Sequence, residues 1–210
     1  MGGKIDAKDV ALSIIGAVEE NKAWLSEIDG AVGDGDHGIN MAKGLGMAKD
    51  KLDQGGRSLA ELLRHLGMTL MGNIGGAMGP IYGTFFMRMG KAVEGKDTVS
   101  KEDVLAMLSS SLEGVKQRGG AKVGDKTLVD TLEPAAKGFE EAVKSGAALP
   151  AAIDRMIAAA KSGMESTKDL VAKIGRSSRL GERSKGTIDA GAASCYVILK
   201  AFGETLKKYV

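Results

Sequence analysis

The chain of 210 residues carries 29 Lys and Arg against 27 Asp and Glu, a net charge of +2, and only 4% of its residues are aromatic. This balanced charge with so few stacking side chains argues against a nucleic acid partner, and no apolar run approaches the ~20 residues of a membrane span. The one cysteine, Cys195, cannot form an internal disulfide, and the segment MGGKIDAKDV lacks the apolar core of a signal peptide, so we expect a cytoplasmic protein.

Apolar residues recur at helical spacing from end to end, and no segment alternates with a period of two as a half-buried strand would. The chain is therefore predicted to be all-α and to form a single domain over residues 1–210. Eight amphipathic helices in antiparallel order are expected over 6–22, 39–53, 58–73, 80–93, 100–118, 127–145, 149–169 and 190–208.

Two of these helices begin with a capping pattern. Ser58 precedes LAELL with Glu61 three residues on, and Ser100 precedes KEDVLAML with Asp103 in the matching place. In this arrangement the serine side chain accepts a bond from the third helical N–H, and the acidic side chain accepts one from the serine N–H. Both patterns predict helix N-termini.

The loops differ sharply between the two predicted ends of the bundle, because consecutive antiparallel helices place alternate loops at alternate ends. One end has ordinary polar turns at 52–57, 94–99 and 144–150. The other end has four long, charged loops in a chain with 31 glycines, and we call these the four glycine-rich loops: 29–38, 72–80, 118–127 and 174–191. Glycine permits close backbone approach and helix N-termini attract anions, so we predict a site for a ligand with several phosphate oxygens. Flexible turns without a ligand are the alternative.

The first glycine-rich loop, DGAVGDGDHG, contains Asp29, Asp34 and Asp36. Convergent carboxylates need a counter-ion, and Mg²⁺ prefers hard oxygen ligands together with phosphate oxygens. An EF-hand is excluded because its twelfth position would be Leu45 or Asn40 rather than glutamate. The G-x-G-x-x-G match is not a dinucleotide-binding turn, because no strand precedes it.

The other loops offer further candidates. In GGAKVGDKT, Asp125 breaks the match to a phosphate-binding P-loop, so Lys126 and Thr127 are left as either phosphate contacts or a solvated cap. His37 lies within the acidic loop and is a site candidate, whereas His65 is expected to be an ordinary helix residue.

The fourth loop supplies positive charge that suits bidentate phosphate recognition and phosphoryl transfer, although a solvated basic face is the alternative. Its basic residues are Arg176, Arg179, Arg183 and Lys185.

Taken together, DGAVGDGDHGINMAKG, GMTLMGNIGGAMGPIYGTFF, RGGAKVGDKTLVD and GRSSRLGERSKGTIDAGAAS resemble, in order and spacing, the motifs of the dihydroxyacetone kinase L subunit family. The resemblance implies a closed up-and-down barrel of eight helices with ADP bound in the loops at one end. It implies that Asp29, Asp34 and Asp36 hold two Mg²⁺ ions and that Arg176 takes part in catalysis. The positions implied around ADP are His37, Gly38, Ile39, Asn40, Ala77, Met78, Gly119, Leu128, Arg176, Asp189, Ala190 and Gly191.

The family also implies partners. In its phosphotransferase-system version, a phosphohistidine on an M subunit phosphorylates the resident ADP, and the ATP formed phosphorylates dihydroxyacetone on a K subunit; a homodimer is left open. The alternatives are a kinase subunit that exchanges ATP and acts on dihydroxyacetone or a related keto-sugar, and a non-catalytic Mg-ADP-binding regulator. Four positions depart from the family pattern: Met78 replaces Ser, Arg179 replaces Tyr, Thr187 replaces His and Ala190 replaces Pro.

Overall fold

The computed structural model describes residues 4–49, 52 and 58–210. Within these residues the chain is all-α, with nine α-helices and no strand apart from an isolated bridge between Lys4 and Thr98. The helices are α1 (Ala7–Glu20), α2 (Lys22–Gly30), α3 (His37–Lys49), α4 (Leu59–Asn73), α5 (Met78–Ala92), α6 (Lys101–Gly119), α7 (Val129–Lys144), α8 (Leu149–Ser166) and α9 (Ala190–Leu206). Short 3₁₀ segments are Thr167–Asp169, Arg176–Ser184 and Lys207–Tyr209.

The predicted first helix over 6–22 corresponds to α1, but a second helix, α2, follows it without having been predicted, so the described residues form nine helices where eight were expected. Asn21 leaves the helical conformation at φ −95° and ψ 4°, and its side-chain amide donates to the carbonyl oxygen of Ala17 at 2.8 Å. This local bond competes with the helix ladder. The chain then resumes as α2, and Asp29 lies near its end rather than in a loop.

The other boundaries fall close to their predicted places. Both capping patterns are confirmed: the Glu61 N–H donates to Ser58 Oγ at 3.3 Å, and the Asp103 N–H donates to Ser100 Oγ at 3.2 Å. Helix α3 begins at His37, two residues earlier than predicted, because the backbone carbonyl oxygen of Asp36 accepts the first helical hydrogen bond, from the Asn40 N–H, at 2.9 Å. The predicted end of that helix and the turn at 52–57 lie outside the described residues, except for Leu52.

The helices pack in chain order, each against the next from α3 to α9, and α1 contacts both α9 and α3. These contacts join the two ends of the series and favour the predicted ring. The interior is filled by side chains of α1 and of every helix from α3 to α9, including the fully buried Phe85, Phe86, Phe139 and Phe202. Each such ring contributes roughly 1.5–3 kcal/mol by burial. A smaller cluster of Leu25, Met164, Ala192 and Ala193 lies under the glycine-rich end.

Helices α4 and α5 approach each other closely where Gly67 faces Gly83. A Cβ on Gly67 would lie 2.7 Å from the carbonyl oxygen of Gly83, and a Cβ on Gly83 would lie 2.9 Å from that of Gly67. Larger residues would push the two backbones apart. This contact fixes α5, whose first turn faces the candidate site.

No helix in the described part of the chain is long and apolar enough to cross a membrane.

Candidate functional site

The four glycine-rich loops meet at one end of the helix bundle, as predicted, and line a cavity of about 440 Å³. The N-termini of α3, α5, α7 and α9 all open onto this cavity. Four helix N-termini directed at one space give it a positive potential from the backbone alone. The arrangement is suited to a polyanion.

Most of the predicted site residues line this cavity: Asp29, Asp36, His37, Asn40, Ala77, Met78, Gly119, Leu128, Arg176, Asp189, Ala190 and Gly191. Three do not. Asp34 lies at the rim within the acidic cluster, Ile39 points outward with 56% of its surface exposed, and Gly38 is buried against α2. Of the basic loop, Arg179 also lines the cavity, whereas Arg183 and Lys185 are exposed outside it.

The acidic cluster is formed by Asp29 near the end of α2, Asp34 in the turn and Asp36 at the start of α3. One carboxylate oxygen of each lies within 4.8 Å of the other two. The turn needs glycine twice: Gly35 has φ +75°, and a Cβ on Gly33 would lie 2.8 Å from Asp29 Oδ1. Three convergent carboxylates form an all-oxygen donor set that suits Mg²⁺. Their position beside four helix N-termini would let a cation held there neutralise phosphate groups bound in the same cavity.

Arg176 closes the acidic cluster from the opposite loop. Its Nη1 pairs with Asp34 and lies 3.6 Å from Asp36 Oδ2, although 60% of its side chain remains exposed. An ion pair this exposed contributes little to stability. The pair does show that the guanidinium reaches the place where the carboxylates converge, so Arg176 is able to meet an anion bound beside them.

His37 is buried at the base of the cavity and contacts residues distant in sequence. Its ring Nε2 lies 2.7 Å from Ser194 Oγ, and its ring packs edge to face against that of Tyr82. The backbone N–H of His37 donates to Asp29 Oδ2 at 3.3 Å. Burial lowers the pKa of His37 to about 4, against the opposing effect of the Asp29 carboxylate. The imidazole is therefore neutral at physiological pH.

Tyr82 and Ser194 connect His37 to the first turn of α9. The Tyr82 hydroxyl donates to the carbonyl oxygen of Gly191 at 2.9 Å, and the Ser194 hydroxyl donates to that of Ala190 at 3.0 Å. Tyr82 Oη and Ser194 Oγ also lie 2.5 Å apart and share a hydrogen bond in which either hydroxyl can donate, so the three side chains form one connected network. This network holds the backbone of Ala190 and Gly191 in place at the cavity wall.

The N-terminus of α9 is capped by Asp189, whose carboxylate accepts from the Ala192 N–H at 2.8 Å. Burial raises the pKa of Asp189 to about 7, and nearby Asp130 and Asp29 act in the same direction, whereas the Ala192 N–H and the Lys126 ammonium oppose the shift. By contrast, α5 begins after Ala77 without any side-chain cap. Its first N–H groups face the cavity and are available to phosphate oxygens.

Lys126 and Thr127, left open between phosphate contact and solvated cap, have different roles. Thr127 Oγ1 accepts from the Val129 N–H, the first N–H of α7, at 3.2 Å, although Leu128 is the N-cap residue. Lys126 borders the cavity, but only 1% of its surface is exposed, and its ammonium donates to three backbone carbonyls.

Sequence reasoning missed two groups of site residues. Tyr82 and Ser194 form the network under the site, and Ile81, Val115 and Ile174 give the cavity an apolar side. Tyr82 follows Met78 by four positions and Ser194 follows Ala190 by four, so each lies on the same helix face as a predicted site residue. That spacing could have indicated both.

Comparison with known proteins agrees with this geometry. The model of the DAK2 domain family matches residues 31–204. The PEP-dependent dihydroxyacetone kinase 1, ADP-binding subunit DhaL, of Listeria innocua is 39% identical over 90% of this chain and 89% of its own. The PEP-dependent dihydroxyacetone kinase, ADP-binding subunit DhaL, of Escherichia coli is 33% identical over 88% of this chain and 89% of its own.

A solved structure shares the fold. The dihydroxyacetone kinase of C. freundii in complex with AMP-PNP and Mg²⁺ superposes with a TM-score of 0.71 at 25% identity, covering 94% of this chain and 33% of that one. The motif order, the converging loops and the family match together show that the chain belongs to the DAK2 domain family.

Proposed function

We propose that this chain is the ADP-binding subunit of a phosphoenolpyruvate-dependent dihydroxyacetone kinase. The observation that carries the proposal is the meeting of three carboxylates and four helix N-termini around one cavity of about 440 Å³. The names of the Listeria and E. coli relatives support the same assignment. The free, buried Cys195 is consistent with a cytoplasmic location.

Asp29, Asp34 and Asp36 would hold two Mg²⁺ ions, which supply charge neutralisation for the phosphates when bound. The uncapped first turn of α5 would donate to phosphate oxygens. Met78 at this turn offers its backbone N–H whatever its side chain, so its departure from the family's serine removes only a hydroxyl. The apolar side formed by Ile81, Val115 and Ile174 would take the adenine.

Arg176 would stabilise the negative charge of the phosphoryl group during its transfer. Its guanidinium reaches the acidic cluster from the opposite loop and so approaches any phosphate bridged to those carboxylates. Its 60% exposed side chain is free to reorient toward the cavity mouth. Positioning and charge stabilisation are the main contributions that a protein makes to phosphoryl transfer.

In line with the subunit names of the Listeria and E. coli relatives, we propose that a K subunit supplies dihydroxyacetone and an M subunit supplies the phosphohistidine. Two exposed apolar side chains lie on elements that also contribute to the cavity, Ile39 in the first turn of α3 and Val123 in the third loop.

Reconstitution tests the proposal. The chain, preloaded with Mg-ADP, is mixed with K subunit, dihydroxyacetone and an M subunit phosphorylated from phosphoenolpyruvate, and dihydroxyacetone phosphate is measured. The proposal predicts many turnovers that require the phosphohistidine donor. Turnover with free ATP and K subunit alone would instead show a kinase subunit that exchanges ATP. Binding of Mg-ADP without transfer under either condition would show a regulator.

A further inference from the structure

Lys126 is a buried lysine with every donor engaged. Its Nζ donates to the carbonyl oxygens of Thr167 at 2.8 Å, Leu170 at 3.2 Å and Thr187 at 2.6 Å. An ammonium has three N–H groups, so none remains for a ligand. Desolvation lowers the pKa of Lys126, while the carboxylates of Asp189, Asp130 and Asp169 oppose the shift.

The three carbonyls belong to both ends of one segment. Thr167 and Leu170 follow α8, and Thr187 lies two residues before Asp189, the cap of α9. The segment between them carries Arg176. Lys126 therefore joins the two ends of the loop that brings Arg176 to the acidic cluster, and it removes the freedom that a loop of this length would otherwise have.

The turn that carries Lys126, at the start of α7, is held in place by hydrogen bonds of its own. Asp130 accepts from the Gly124 N–H at 2.6 Å and from the Thr127 N–H at 2.7 Å. The Lys173 N–H donates to the carbonyl oxygen of Asp125 at 3.1 Å, which adds a second link to the same segment. The ends of the loop are thus anchored to a braced turn at the start of α7.

The backbone of Lys126 supports a specific role. At φ 62° it is the one non-glycine residue with positive φ in the described part of the chain. Glycine would adopt this conformation without strain but would provide no ammonium. A strained conformation that persists beside a site is evidence that the side chain is needed there.

We propose that Lys126 is a positioning residue that holds the loop of Arg176 and Asp189 in its binding geometry. The inference rests on the proposed function for its effect on nucleotide, but the clamp itself is a property of this chain alone. Lys126 acts through the loop and does not touch the nucleotide.

The test compares Lys126→Met with a destabilising control away from the loop, Val10→Ala, whose fully buried side chain lies in the first turn of α1. Hydrogen exchange over 168–188, the Kd of Mg-ADP and the single-turnover transfer rate at saturating Mg-ATP are measured for each. Lys126→Met is expected to raise loop exchange and Kd by about tenfold or more and to slow transfer by a similar factor per folded chain, because misplaced groups lose rate steeply. Val10→Ala should change each by less than about twofold.

Each result decides something. If Lys126→Met keeps wild-type exchange, Kd and transfer rate, the positioning role is wrong. If the wild-type chain binds no Mg-ADP, the proposed function fails, whereas loop exchange still tests the clamp.

Should Lys126→Met not fold, ¹H–¹⁵N spectra of the wild-type chain provide the test. The clamp predicts a slowly exchanging ammonium resonance at neutral pH that is absent from Lys126→Arg, and the lack of any such resonance would overturn it.

Discussion

The structure indicates that Gly38 is needed for helix packing rather than for ligand binding, and the variant Gly38→Ala, which adds one methyl group, tests this. A Cβ at Gly38 would lie 2.1 Å from the carbonyl oxygen of Lys22 and 2.8 Å from Ser26 Oγ, both in α2, well below the 3.4 Å at which ordinary contact begins. Backbone cannot rotate away, so in Gly38→Ala helix α2 must move from α3. Overpacking of this kind costs about 1–3 kcal/mol.

Gly46 provides a matched control in the same helix, because a Cβ there would meet no atom within 4 Å. Gly46→Ala should gain about 0.5–1 kcal/mol from reduced backbone freedom in the unfolded chain. The same intrinsic gain applies to Gly38→Ala, so it cancels when the two variants are compared. The free energy of unfolding should therefore be about 1–3 kcal/mol lower for Gly38→Ala than for Gly46→Ala.

Urea unfolding followed by far-UV circular dichroism measures this difference, and calorimetric titration with Mg-ADP measures its effect on the site. Because α2 carries Asp29, whose carboxylate accepts from the His37 N–H, Gly38→Ala should also weaken Mg²⁺-dependent ADP binding. Equal stabilities for the two variants would refute the packing argument. Weakened binding with unchanged stability would return Gly38 to the ligand contacts implied by the family resemblance.

Three further predictions concern the site. Asp36→Ala should abolish Mg²⁺-dependent nucleotide retention yet leave the helical circular-dichroism signal intact; retention at the wild-type level would count against the metal site. Arg176→Ala should slow phosphoryl transfer by about 10³-fold with a much smaller effect on Kd, and an unchanged rate at saturating nucleotide would make Arg176 a surface charge. Because the pKa of Asp189 is raised to about 7, the folded chain keeps a proton that the unfolded chain loses between pH 4 and 7, and stability falls as pH rises across that window. Asp189→Asn keeps an acceptor for the helix cap but carries no charge. At pH 8 without Mg²⁺ its free energy of unfolding should be about 1–2 kcal/mol above that of the wild type, a value reduced for the partial exposure of the carboxylate, and at pH 4 the two should be equal. Equal stability at both pH values would contradict the raised pKa.

The helices and their order could be predicted because their signals are local. Ser58 with Glu61, and Ser100 with Asp103, mark helix starts by residues three apart, and the structure forms both capping boxes. The convergence of the loops followed from helix counting. The break at Asn21 was missed because one side-chain amide, bonded to Ala17, decides it against an otherwise continuous helical pattern.

The interior of the site could not be predicted because its contacts span the chain. His37 meets Ser194 across 157 positions, and Lys126 reaches carbonyls 41 to 61 residues away. From the sequence alone, a lysine beside Thr127 in a glycine-rich loop is equally consistent with a phosphate ligand and with a solvated cap. Only the fold shows which groups surround it. Its burial and its three hydrogen bonds to backbone carbonyls show that Lys126 holds the backbone in place.

The central claim is that Mg-ADP is a resident cofactor of this chain, and its nucleotide content tests this most directly. The purified chain is washed extensively, with and without EDTA, then denatured, and the released nucleotide is quantified by chromatography. We expect close to one ADP per chain that survives washing and is lost only after EDTA. A chain that carries no ADP, or that loses it on washing while Mg²⁺ is present, would contradict the claim.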